Sequence, residues 1–303
     1  MSQGKYLPEG RIGNKCTTFD SLERAMREGT VTEGRAVRCT DRHELIIDIN
    51  GIKGIIPREE AAMGIDSGKT KEIAILSRVG KNVCFKVTGR EGDTFILSRR
   101  AAQEEALSYY MNNVQIGEVI ECRVTHIEPF GAFVDIGCGV ISMIGIENIS
   151  VSRIGHPDER FYPKQDIYAV VSGKDRKEGR ILLSHKELLG TWEQNSELLR
   201  AGETVSGIVR GVEDYGIFVE LAPNLSGLAE RKEGIECGMN VSVFIKSITP
   251  ERMKIKLIII DSEEQEYYEP ISEEDYYITD GILCSWRYSP ICCRSKLIET
   301  VFS

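Results

Sequence analysis

A chain of 303 residues has room for roughly two to four small domains, and no run in it approaches the ~18 apolar residues of a membrane span. Its formal charge of −9 speaks against a surface that is basic throughout, and nine cysteines, odd in number and without a repeated spacing, speak against a disulfide framework. The charge is uneven: from Asp261 to Ser303 ten acids face three bases, so most of the excess sits in the last stretch and the rest is close to neutral.

Residues 1–30 read as an N-terminal extension. Met1 to Lys15 is polar and Gly-rich, an expected flexible lead, and its first ten residues lack the apolar core of a signal peptide. A short helix follows, with Asp20 as N-cap, Glu23 three residues on, Leu22, Ala25 and Met26 on one face, and Gly29 as the stop. Residues 31–100 carry five strand-like segments, among them Leu45 to Ile49. Within them, Gly64 and Gly68 precede Lys69 and Thr70 with three residues between the glycines, where a phosphate-cradling loop needs four. A surface loop is the reading there. Ser98 to Asn113 is helix-prone, which makes 101–114 a helical linker.

Residues 115–187 hold the most informative stretch, Glu128-Pro129-Phe130-Gly131-Ala132-Phe133-Val134-Asp135-Ile136. As a strand it turns Ala132, Val134 and Ile136 to one face and Phe133 and Asp135 to the other. Gly131 permits a bend that brings Phe130 to the outer face beside Phe133. Two outward phenylalanines need a partner, either a covering domain or a ligand. This segment closes with a charged hairpin in which Lys174, Asp175, Arg176 and Arg180 cluster. Arg180 either serves a ligand or pairs with Asp175 or Glu178.

The pattern returns 85 residues on as Asp214-Tyr215-Gly216-Ile217-Phe218-Val219-Glu220-Leu221, with Ile217, Val219 and Leu221 inward and Phe218 outward. A helical linker at 188–200 precedes it, on which Trp192 either packs at the junction or meets a ligand. This third repeat spans 201–260 and has Lys254 at the place of Arg180. The first repeat shares the frame with His43 and Ile46 in the places of Phe130 and Phe133, so its aromatic pair is gone. Residues 261–303 form an acidic extension containing Tyr267, Tyr268, Tyr276 and Tyr277, expected to pack on the third repeat or a partner. Its Cys284, Cys292 and Cys293 lack the histidine and the Cys-x-x-Cys spacing of a zinc site. Its excess charge suggests that removing it leaves phosphate binding unchanged or stronger.

Phe130-Gly-Ala-Phe133-Val-Asp-Ile-Gly, the Ser152-Arg153-Ile-Gly-His156-Pro157 turn and Gly179-Arg180-Ile-Leu-Leu-Ser184-His-Lys-Glu-Leu resemble the S1 RNA-binding domain, and the tandem arrangement is similar to that of the bacterial ribosomal protein S1 family. The expected fold is all-β: three tandem OB-type five-stranded barrels joined by short helical linkers, plus the acidic extension. The resemblance implies an RNA face at Phe130, Phe133, Asp175 and Arg180, with Lys174 and Arg176 beside them, and at Tyr215, Phe218 and Lys254. The family's third-strand histidine is replaced by Gly145 and Glu230.

Outward rings stack on unpaired bases of any identity, and flanking cations hold phosphates. The expected function is sequence-tolerant binding of single-stranded RNA or mRNA in translation, at the small ribosomal subunit, in the cytoplasm. An accessory subunit that docks a protein through the first repeat or the tail is the alternative. No nucleophile and base recur beside the rings, so no enzyme, cofactor or metal is expected, and no membrane partner.

Overall fold

Period-2 alternation in each repeat builds strands with one apolar face, and five such strands close on themselves to bury it. The computed structural model describes residues 6–13, 16–266 and 270–303. The first barrel comprises β1 (Val31–Cys39), β2 (Leu45–Ile49), β3 (Ile52–Ile56), β4 (Asn82–Glu91) and β5 (Thr94–Ser98). The central barrel comprises β6 (Val119–Glu128), β7 (Gly131–Asp135), β8 (Ile141–Gly145), β9 (Asp166–Asp175) and β10 (Arg180–Ser184). The third comprises β11 (Thr204–Glu213), β12 (Gly216–Ala222), β13 (Leu225–Ala229), β14 (Met239–Thr249) and β15 (Lys254–Glu266). All three close in the same order, first-second-third-fifth-fourth, with the third and fifth strands parallel. Each first strand slips register at the same place, between Ala36 and Arg38, Val124 and His126, and Val209 and Gly211. The shared bulge marks the three repeats as one backbone design.

The inward faces are as expected at Ala132, Val134, Ile136, Ile217 and Val219, all fully buried. Leu221 differs: the strand slips between Glu220 and Ala222, and the side chain is half-buried at the barrel's edge. Helix α1 (Phe19–Glu28) is capped by Thr18, which accepts from Ser21 N, while Asp20 lies inside its first turn. Gly29 ends it at φ 64°. A short α2 (Ile73–Leu76) fills the crossover between β3 and β4.

The linker helix α3 (Arg99–Asn112) is a packed strut rather than a tether. It buries Ala102, Ala106 and Tyr110 against the central barrel, and Gln103 donates to Gly139 O at 2.6 Å. The residues before it overturn the flexible-lead reading. Glu9 is buried, accepts from Arg99 Nε at 2.7 Å and Nη2 at 3.0 Å, and donates its own N–H to Asp135 at 2.8 Å. Burial opposes its charge, yet Arg99 holds Glu9 below the usual carboxylate range. Asp135 lies on the same side of β7 as Phe133, as expected, but this segment covers it. Burial and the Glu9 charge push it up to about 7. Residues 1–5 and 14–15 of the expected lead lie outside the described residues.

The second linker is mostly irregular, with one turn of helix, α4 (Trp192–Ser196). Trp192 is buried in one core with Val170 of the central barrel, Leu188 of the linker, and Val209 and Val243 of the third barrel. The acidic extension packs on both barrels. Trp286, Tyr288 and Phe302 join the third core, Ile271 joins the central one, and Leu283 N donates to Gly117 O at 2.8 Å. Tyr267 and Tyr268 lie outside the described residues. Among the described residues no helix is long and apolar enough to cross a membrane, and no cluster of His, Cys, Asp and Glu could hold a metal ion.

Candidate nucleic-acid interface

The β6–β7 hairpin turns through Pro129 and Phe130, with Glu128 opposite Gly131. Phe130 thus reaches Phe133 from the turn itself, not from a bulge in β7. A side chain at residue 131 would meet Ile144 O at 2.5 Å, so only glycine lets β8 close on the strand here. Phe130 is 56 % exposed, and its ring lies 6.0 Å from that of Phe133 at 88°. The third barrel repeats the arrangement: Tyr215, 69 % exposed, lies 6.0 Å from Phe218 at 86°. Edge-to-face pairs at this spacing support each other, and Phe130 and Tyr215 remain exposed beside their half-buried partners.

Register places one outward row across each barrel. In the central barrel it runs His126, Phe133, Met143, Leu182. In the third it runs Gly211, Phe218, Leu228, Lys256, and in the first Arg38, Ile46, Ile55, Ile96. His126 was not among the expected site residues. Its ring lies 6.3 Å from Phe133 with planes 25° apart, and its side chain is 65 % exposed, with Nε2 2.6 Å from the Glu128 carboxylate. The platform therefore has three rings, with the histidine supplied by the first strand of the barrel. A two-residue turn pairing 128 with 131 also pairs 126 with 133, so the hairpin's own arithmetic holds the signal.

The cations divide. Arg176 and Arg180 are exposed and have no ion-pair partner among the described residues. Arg180 shares the outer face of β10 with Leu182, two strands from Phe133. Strand spacing and rise put the two Cα atoms roughly 12 Å apart. Lys174, expected beside them, is withdrawn: its Nζ donates to Met111 O at 3.0 Å and to Val114 O at the end of α3, and burial lowers its pKa. Asp175 is also occupied, accepting from Lys177 N at 3.0 Å and Glu178 N at 3.1 Å to shape the hairpin. Lys254 stands two residues before Lys256 on β15, the offset of Arg180 from Leu182, and is exposed. In the first barrel His43 turns to Glu72 at 3.3 Å, and the row carries no ring.

Residues 113–186 match the family model of the S1 RNA binding domain. The small ribosomal subunit protein bS1 of Leuconostoc lactis is 30 % identical over 78 % of this chain and 58 % of its own length. The bS1 homolog of Bacillus subtilis is 28 % identical over 85 % of this chain and 69 % of its own. The chain thus spans little more than half of the Leuconostoc relative. Among solved structures, a multidomain protein with nucleic acid binding domains from Streptococcus pneumoniae covers 77 % of this chain and 73 % of its own at 16 % identity, with a TM-score of 0.25.

Proposed function

From a central barrel that is an S1 RNA binding domain, we propose that this chain binds single-stranded RNA with little sequence preference, mRNA at the small ribosomal subunit being the ligand in the cell. The observation that carries the reading is the three-ring platform of exposed Phe130 and His126 around half-buried Phe133, with Arg176 and Arg180, which have no ion-pair partner among the described residues, on the same barrel. Every base has a face to stack, so such a platform is tolerant of sequence, and the arginines bind the phosphates. The names of the bS1 relatives supply the translational setting. The aliphatic row of the first barrel favours a different task for that barrel, docking of a protein.

The test is fluorescence anisotropy of a labelled oligouridylate titrated with the full chain. Phe133→Ala is expected to weaken binding by about 1–3 kcal/mol, roughly ten- to a hundredfold, with the melting temperature kept. Val134→Ala is expected to do the reverse, because Val134 is fully buried and its truncation leaves a core cavity. If Phe133→Ala melts the barrel while affinity per folded molecule is kept, the rings are packing residues and the reading fails.

A further inference from the structure

The third pair of rings does not stand on an isolated barrel. Tyr215 and Phe218 line a groove of about 700 Å³ whose other walls are loop 151–155 of the central barrel and Lys296 and Ile298 of the acidic extension. Three cations from three parts of the chain reach it: Arg153 from that loop, Arg252 from the turn before β15, and Lys296. All three are exposed, with no ion-pair partner among the described residues. Arg210, also in the lining, is committed to Glu159 and Glu220, and the one acid in the lining is Glu213.

The walls are held in register by buried polar contacts. Asn224, fully buried on the third barrel, accepts from Val151 N at 2.8 Å and donates to Lys186 O at 2.8 Å and Gly190 O at 3.0 Å. Ser226 Oγ donates to Ser152 Oγ at 3.0 Å, so the two residues just before Arg153 are fixed to the third barrel. Tyr288 donates its hydroxyl to Asn224 O and its N–H to Ile298 O at 3.0 Å, which anchors the irregular segment that carries Lys296 two residues before Ile298. Arg153 and Lys296 are thereby presented to rings that belong to another repeat.

We propose that this groove is a second single-stranded RNA site, built jointly by two barrels and the C-terminal extension. Bases stack on Tyr215 and Phe218, and Arg153, Arg252 and Lys296 take the phosphates. The inference rests on the RNA-binding reading above, and it reverses the expectation that the acidic extension only opposes phosphate. Its acids lie mostly before residue 281, whereas the segment that reaches the groove brings a lysine. The chemistry is that of the central platform, rings plus unpaired cations, but the cations come from outside the repeat that owns the rings.

The test uses the full chain and a labelled oligouridylate, titrated over a range of salt, in the wild type and in a Phe133→Ala background. In the Phe133→Ala background, Tyr215→Ala is expected to weaken the remaining binding ten- to a hundredfold. Arg153→Ala and Lys296→Ala are each expected to lower the slope of log affinity against log salt by about 0.7, the share of one phosphate on a single strand. Once Tyr215 and Phe218 are both alanine, Arg153→Ala should change nothing further. Arg153, Tyr215 and Lys296 are exposed, so the melting temperature should hold when each is replaced. The proposal is overturned if Arg153→Ala and Lys296→Ala leave the slope unchanged while Phe133→Ala still weakens binding. It is also overturned if the effect of Arg153→Ala vanishes with Phe133→Ala rather than with the third pair, which would assign Arg153 to the central face. Unaltered binding in Phe133→Ala alone would instead count against the central platform, a separate outcome.

Discussion

Neighbouring residues on β7 divide between a buried face, with Val134, and an outward one, with Phe133, and the charged residues of the central barrel divide between engaged Lys174 and exposed Arg180. His126 and Lys174 are the informative pair, because one stands beside Phe133 without having been expected there and the other is engaged by carbonyls at the end of α3. His126 looks like a solvated strand residue until the hairpin register sets it against Phe133. Lys174 looks like a free cation on a charged hairpin, but helix α3 comes within its reach only in the folded chain, and the carbonyls at that helix end capture its ammonium. His126→Ala is therefore expected to weaken RNA binding severalfold without lowering the melting temperature. Lys174→Ala is expected to leave the salt dependence of binding unchanged and to lower stability by about 1.5–3 kcal/mol, the worth of a charge-assisted hydrogen bond. Parallel anisotropy and urea unfolding check both, and a drop in salt slope for Lys174→Ala would contradict the assignment.

At the scale of elements, the strands were legible because alternation repeats three times at one spacing, and a recurring pattern separates signal from chance. The ends of elements were less so. β15 continues to Glu266, six residues into a stretch that composition alone assigns to the tail, because strand pairing with β14 outweighs an acid-rich sequence on an exposed hairpin. The junction after β10 was invisible as well. There His185 is fully buried, with Nδ1 2.8 Å from Ile149 O, Nε2 2.9 Å from the Tyr276 hydroxyl, and the Phe161 ring edge-on. Burial lowers its pKa from 6.5 to about 4. A group that folds neutral contributes stability in full above its unfolded value, and that contribution is lost as pH falls from 6.5 through about 4. Unfolding free energy should therefore fall across that window by up to about 3 kcal/mol on this account alone. His185→Gln, which does not titrate, should lose that part of the acid sensitivity. An unchanged pH profile in this variant would show that the imidazole is not the group responsible.

For the whole molecule, what the sequence hides is how the repeats are joined. Linkers read as helical spacers give no hint that Glu9 fastens the first two barrels through Arg99. Nor do they show that Arg160 and Arg210 meet Glu159 and Glu220 between the second and third. These partners lie 10 to 90 residues apart and share no local pattern, and buried charges are held only when each finds its counterpart in the folded chain. The consequence for function is a fixed array. Two ring platforms of matching geometry are carried on one body, with an aliphatic first barrel beside them. A net charge of −9 is compatible with the proposed RNA binding, because ten of the acids lie in the last 43 residues while Arg180 and Arg153, without ion-pair partners among the described residues, stand on the barrel or groove that carries the rings.

If bases lie on the β6–β7 hairpin, photocrosslinking reads that contact directly. Full chain bound to a single-stranded oligonucleotide carrying 4-thiouridine would be irradiated, digested, and the modified peptides mapped by mass spectrometry. The expected result is enrichment on the peptides holding His126, Phe130 and Phe133, loss of that signal in Phe133→Ala, and none at Ile46, Ile55 or Ile96. Crosslinks confined to the first barrel, or spread evenly over the three barrels without enrichment at β6–β7, would show that bases do not lie on Phe130 and Phe133.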